Sequence, residues 1–510
     1  MEGVVGLRRK TGISVSPMNG FSVDNLIHIM SFLDPPDILT LASCNRALSQ
    51  IAERRIVWIN ALRRVTTRPG AAVFAHTFPM EEMTLLQLKH AATTPYRFLW
   101  AIECQGADGF LQPVARRVLS PPYPKDPPGA THDISPVVFT HSQVVPGGRF
   151  LLTQSSVYML QLWDLGYRPG MMVDPVPIAS VKIGVEVDHY IPSTFPTEDG
   201  EGLVVAIVSV APGTTPPKAT WDVFEIYPLA TTPGSRRFNR IGSIPYAKPE
   251  KFAPFFHNSD LLIANLEDNT VFAWDFRNDR AVKWDVSTIV EEAETSQILL
   301  SGRDIILVDS ARMSVWRIPP LETHAVFDGP GDLPVTDNTP LMLIPFPFDH
   351  DDRTFPYWVS WCCALSSPHG YPDLCMVAET TSDDISTASM YKIKNIKNAA
   401  DDPSPDCVPA LVTHIEMTDT AISSRAFFQS TDSNNLLLSI ADVDGRVVYA
   451  NVFSRPSVAR EEATCTSSRL WTPSLDHGET LESMFCPFSA RLCVVTESGE
   501  VEVCDFVAPL

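Results

Sequence analysis

Few side chains in this 510-residue sequence are spaced for chemistry. The densest set of ligand types is Asp349, His350, Asp351 and Asp352 in the run "DHDDR", which offers oxygen ligands to a hard cation. The run has no EF-hand spacing and lies in a proline-rich insertion, so a solvated loop is expected there and no metal site. "DDPSPD", residues 401–406, is a second acidic loop, whose Ser-Pro is a candidate phosphate acceptor. The cysteines, Cys44, Cys104, Cys362, Cys363, Cys375, Cys407, Cys465, Cys486, Cys493 and Cys504, include no C-x-x-C pair or other zinc spacing. Reduced and mostly buried thiols are expected, since free Cys packs as a small hydrophobe. Cys362 and Cys363 lie in "YWVSWCCAL", an apolar run suited to a buried strand. The histidines, His189 among them, have no Ser or Cys at an interpretable spacing, and no phosphate loop, dinucleotide fingerprint, H-E-x-x-H or G-x-S-x-G occurs. No catalytic residue and no cofactor is expected.

The informative features are therefore the elements themselves. The chain exceeds one ordinary core, which calls for several units or one large closed architecture. No apolar run reaches the roughly 18 to 20 residues of a membrane span. The first twenty residues lack an apolar core followed by a small-residue cleavage site, and no Asn-x-Ser/Thr sequon is present. An intracellular protein, of cytoplasm or nucleus, is expected. Residues 1–100 hold 11 Lys and Arg against 7 Asp and Glu, which leaves 28 against 53, a net charge of -25, on residues 101–510. An acidic body repels phosphate backbones, so neither nucleic acid nor membrane is expected as a partner.

Composition divides the chain into a loose arm at 1–20, a helical unit at 21–66, a helical connector at 67–118, a linker at 119–133 and a strand-rich body at 134–510. The linker, "LSPPYPKDPPGATHD", has five prolines, which exclude a continuous helix or central strand. In the helical unit, Leu26, Ile29, Met30 and Leu33 follow one face, while Val23, Ile27 and Phe32 put apolar groups on the other sides. Ile38, Leu41, Cys44, Leu48 and Ile51 repeat with helical spacing, and Ile56, Trp58, Ile59 and Leu62 extend it. "MEEMTLLQLKHAA", residues 80–92, reads as a further helix. Between the first two, Asp34 is placed to cap a helix whose first turn takes Pro35 and Pro36, where their missing N–H groups cost nothing, with Asp37 at its positive end. A three-helix unit of about 45 residues cannot bury apolar groups on every side of a helix. One face must meet the rest of the chain or a separate partner.

The body repeats. "EDNTVFAWDF" (267–276) and "ESGEVEVCDF" (497–506) agree position by position, and "DSARMSVWRI", "SVYMLQLWDL", "VDGRVVYANV", "PKATWDVFEI" and "TASMYKIKNI" take the same frame. The anchor position falls at Trp163, Phe224, Trp274, Trp316, Lys394, Ala450 and Cys504. Steps of this length suit one four-stranded sheet per repeat, with an insertion at 328–356, and such sheets bury their apolar faces by forming a ring. A propeller of about seven degenerate blades is expected, six or eight being the alternatives. The last anchor leaves no room for an outer strand after it, so a segment within 110–140 is expected to supply that strand. A pair of β-sandwiches is the rival reading, but it does not place Trp-Asp endings in one register.

Residues 21 to about 62 resemble an F-box, matching its pattern at Leu33, Pro35, Asp37, Ile38, Leu41, Arg46, Leu48 and Trp58, with Phe21-Ser22 in place of an initial Leu-Pro. The body resembles WD-repeat propellers, and "VVPGGRFLLTQSS" with "LQLWDLG" is similar to fungal F-box proteins with a propeller-like region. The resemblance implies an α+β multidomain chain, a small three-helix F-box followed by an all-β propeller. It implies a Skp-type adaptor bound by Leu26, Ile29, Met30, Leu33, Pro35, Ile38 and Leu41, with Phe21, and through the adaptor a cullin. The propeller would then present a client protein for ubiquitin transfer by other subunits, the chain itself being no enzyme. Such propellers often read phosphorylated degrons with clustered arginines, for which Arg149, Arg277, Arg303, Arg312 and Arg425 are candidates. The competing classes are a propeller enzyme or carbohydrate-binding module with a structural helical cap, and an F-box scaffold that directs no degradation.

Overall fold

The computed structural model describes residues 21–67, 73, 77–105, 109–122, 137–183, 193–210, 219–232, 234, 236–246, 255–256, 260–266, 269–286, 297–301, 304–308, 312–323, 333–345, 359–361, 374–382, 385–393, 410–417, 428–429, 437–443, 447–454, 464–471 and 480–510. Five helices come first: α1 (Val23–Met30), α2 (Pro35–Cys44), α3 (Arg46–Ala52), α4 (Arg55–Thr66) and α5 (Leu85–Gln105). Ser22 caps α1, its Oγ accepting from Asn25 N at 3.1 Å. Pro35 and Pro36 open α2 as the sequence predicts, but the Asp34 side chain makes no cap bond. The buried Asp34 carboxylate lies 4.0 Å from Arg64 Nε. The apolar repeat over 38–51 is not one helix. Asn45 turns extended between α2 and α3, and its Oδ1 caps α3 by accepting from Leu48 N at 2.9 Å.

The strands form seven sheets among the described residues, each built on a run of four antiparallel strands. In chain order they begin at Phe139–Val144, Ser193–Pro196, Phe255–Phe256, Gln297–Ser301, Val359–Trp361, Phe428–Gln429 and Thr480–Cys486. Of the repeat anchors, Trp163, Phe224, Trp274, Trp316, Ala450 and Cys504 all fall on the third strand of their sheets, while Lys394 lies outside the described residues. The common register has a packing cause: the third strand is flanked on both edges, so its side chains press on the neighbouring sheets. Trp163, Trp274 and Trp316 are accordingly buried.

The stretch expected as a helical connector, 67–118, is helix in α5 and strand beyond it. Gly109–Phe110 runs parallel to Thr464–Trp471, and Ala115–Leu119 runs antiparallel to Val501–Asp505. The second of these forms the outer edge of the last sheet. Its period-two pattern explains the change of element: Ala115, Arg117 and Leu119 face inward while Arg116 and Val118 face outward. Part of the expected insertion is also built into the sheets. Met342–Pro345 is the outer strand of the fourth sheet, and Val335–Thr336 pairs in parallel with Arg280–Asp285 on the edge of the third.

Two cores adjoin α5. Its first half gives Leu88, Ala91 and Ala92 to a cluster with Leu26, Met30, Ile38, Leu48, Val57 and Trp58. Its second half gives Phe98, Leu99 and Ile102 to a cluster with Val448, Trp471, Phe485, Leu492 and Phe506 of the last two sheets. No helix among the described residues is long and apolar enough to cross a membrane.

Candidate functional site

The helical unit closes its own core and still leaves large apolar groups in solvent. Leu26, Met30, Pro35 and Ile38 are buried, Met30 and Ile38 completely. Leu26, Met30 and Ile38 belong to the core cluster that includes Leu48, Trp58 and Leu88. Ile29, Leu33 and Leu41 are half-buried and keep one side outward. Phe21 is 50% exposed, and Val23, Phe32 and Leu39 are exposed at 40%, 61% and 47%. Phe32 is held by the edge of the His28 ring, with centroids 4.9 Å apart. Leu39 was missed by sequence reasoning, and Phe32 and Val23 were assigned only to the far sides of α1. The missing signal was the break at Asn45: once α3 folds back on α2, the inward line through α2 runs along Pro35 and Ile38, and Leu39 turns out.

The described arginine candidates on the body have structural partners. Arg149 meets Asp164, with Nη2 2.8 Å from Oδ2. Arg277 bridges two sheets, its Nη2 2.5 Å from Glu225 Oε1 and its Nε 2.6 Å from Asp260 Oδ1. Arg312 opens the third strand of the fourth sheet, and Arg303 and Arg425 lie outside the described residues. The same pairing recurs as Arg280 with Asp275, Arg317 with Asp304 and Arg491 with Asp505, so these ion pairs fasten strand ends. Burial opposes ionisation of Asp275, but hydrogen bonds from Arg280 and Asn278 outweigh it and hold the carboxyl below the usual carboxylate range.

Chemistry is correspondingly sparse. Cys486, Cys493 and Cys504 are buried, and burial pushes the Cys493 thiol up to about 12, where it is neither nucleophile nor ligand. Cys44 and Cys104 are exposed and unpaired as disulfides. Residues 1–20, the "DHDDR" and "DDPSPD" runs, His189, Cys362, Cys363 and Cys407 lie outside the described residues. Among the described residues no group of three His, Cys, Asp or Glu is placed to hold a metal ion. A small cavity lies where α5 meets the propeller, lined by Phe78, His90, Thr94, Tyr167, Phe488 and Arg491.

The family described as F-box domain matches residues 20–60. Residues 20–60 are an F-box domain. Among solved structures, the chain is similar to the β-propeller domain of Cps50 (Swd1) from Myceliophteria thermophila, at 13% identity and a TM-score of 0.44, covering 74% of this chain and 99% of that one. It is also similar to the C-terminal WD40 domain of Sif2, at 10% identity and a TM-score of 0.39, covering 74% and 84%. No curated protein sequence matches the chain at a significant level. The F-box match takes in α1 to α3 and the first turns of α4, and so includes both the buried apolar residues and the exposed ones. Trp58 of the F-box is wholly buried, with its Nε1 donating to Ala52 O at 2.7 Å, which ties α4 to the end of α3.

Proposed function

We propose that this chain is a non-catalytic substrate receptor of an SCF-type ubiquitin ligase, its F-box holding a Skp-type adaptor and its propeller presenting a client protein. F-box domains bind such adaptors in general, and F-box and WD40 modules are typically interaction modules without catalysis. One observation carries the reading for this chain: Phe21, Val23, Phe32 and Leu39 stand in solvent on a unit whose core is already complete. Exposed large apolar groups so concentrated mark an interaction site. The docking residues are then Phe21, Val23, Phe32 and Leu39 with the outer sides of Ile29, Leu33 and Leu41, while Leu26, Met30, Pro35 and Ile38 set their positions. The adaptor brings a cullin, and the acidity of the body favours a neutral or basic client.

Adaptor co-purification tests this. Interface energy concentrates in a few apolar anchors, so Phe32→Asp and Leu39→Asp are each expected to reduce adaptor capture at least tenfold with an unchanged thermal midpoint. Retention of the adaptor by both variants, or its absence from the unaltered chain, overturns the docking reading. Accumulation of propeller-retained proteins when the ligase is inhibited is expected of a receptor, and unaltered turnover overturns the degradative half of the proposal.

A further inference from the structure

The last sheet clasps the first through a buried charge cluster. Arg491 and Asp505 are 2% and 1% exposed, with Arg491 Nε 2.6 Å from Asp505 Oδ1. Arg491 Nη1 donates to Gly148 O, and to Gly166 O at 2.8 Å. Arg117, on the closing strand, donates from Nη2 to Asp505 Oδ2 at 2.7 Å and from Nη1 to Leu165 O at 2.8 Å. Gly170 N donates to the same carboxylate at 2.8 Å. Gly148 has φ +80°, and a Cβ there would lie 1.8 Å from Ser489 Oγ, so the two sheets meet too closely for any other residue.

The clasp also reaches the helices. Tyr167, inside the clasped loop, packs on the core of the helical unit. Arg491 and His90 of α5 line one cavity. Arg97 of α5 donates to Ala508 O at 3.0 Å, three residues beyond Asp505. Phe98 stacks 4.9 Å from Phe485 and 5.8 Å from Phe506.

We propose that α5 is a shared strut that couples closure of the propeller ring to the stability of the helical unit, so that the F-box is fully formed only on a closed ring. The propeller core takes the second half of α5 together with Val65 of α4, and the core of the helical unit takes the first half, so the two cores share one helix across Pro95 at its middle. The coupling concerns the fold and is independent of what the F-box binds.

Hydrogen exchange on the full chain measures it. Asp505→Asn weakens the counter-charge to two buried arginines and is expected to reduce amide protection about tenfold or more in Pro35–Thr66 as well as in Val501–Asp505. Loss confined to Val501–Asp505 overturns the proposal. Asp275→Asn breaks the analogous pair in the third sheet, away from α5, and should leave Pro35–Thr66 unchanged; an equal loss there overturns the routing through α5. If Asp505→Asn does not fold, Arg97→Ala keeps the clasp and removes the bond to Ala508. It is expected to reduce protection on both sides of α5, and unchanged protection of Pro35–Thr66 overturns the strut.

Discussion

His90 projects from α5 into the junction, with Thr94 Oγ1 3.5 Å from its Nε2 and Arg97 Nη1 3.3 Å from its Nδ1. Burial, reinforced by the Arg97 charge and only partly countered by Asp505, holds its pKa down to about 4 against an ordinary 6.5. The sign follows from proton linkage. Below pH 6.5 the unfolded chain takes up a proton that the folded chain refuses, so this contribution is complete above that pH and is lost as pH falls from 6.5 toward 4. Between pH 7 and pH 5 the loss amounts to about 2 kcal/mol. Denaturant unfolding at the two pH values is expected to show it, and His90→Asn should reduce the difference by that amount. Asp275 acts with the same sign but through its charged form: its depressed pKa gives stability present above the ordinary carboxylate range and lost as pH falls through the folded value.

At the scale of elements, the F-box region separates buried apolar residues from exposed ones, and substitutions should divide the same way. Met30 and Ile38 have no exposed surface, so truncation of either to Ala leaves a cavity and is expected to cost about 2–5 kcal/mol in unfolding experiments. Asn45→Ala removes the α3 cap and should cost about 1 kcal/mol. Phe32 and Leu39, by contrast, should alter binding and not unfolding. Much of this region was legible in the sequence: the paired prolines opening α2, the helical spacing and the surplus of apolar residues. The direction of the surplus was not. A helix apolar nearly all round has no periodic signal for which side faces its own core, and that side was decided by the turn at Asn45 and by Leu88, Ala91 and Ala92 arriving from α5, about forty residues or more along the chain. The propeller was legible for the converse reason. Its third strands repeat one environment, so Trp163, Trp274 and Trp316 mark one position, whereas outer strands such as Met342–Pro345 vary with what covers them.

For the molecule as a whole, the decisive contact is between the start and the end of the sheet order. Ala115–Leu119 precedes every four-stranded sheet in sequence, yet it is the outer strand of the last. A closed ring has no seam only if that strand stays paired, and the pairing is non-local across nearly four hundred residues, from Ala115 to Asp505. The strand also carries Arg117 into the clasp, where burial and the neighbouring Arg491 lower its pKa despite Asp505. Val114, just before the strand, isolates the backbone part of this closure. Its side chain is 49% exposed, so truncation to Ala should change stability little. Its N–H donates to Asp505 O at 2.8 Å. Val114→Pro removes that donor while leaving Arg117 in place, and leaving its acceptor unpaired costs about 1–3 kcal/mol. The expected outcome is a thermal midpoint well below that of Val114→Ala, with proteolytic cleavage between residues 105 and 139 accelerated. Equal midpoints for the two variants would mean that the ring is held by its side-chain clasp alone and that the strand contributes no closure of its own.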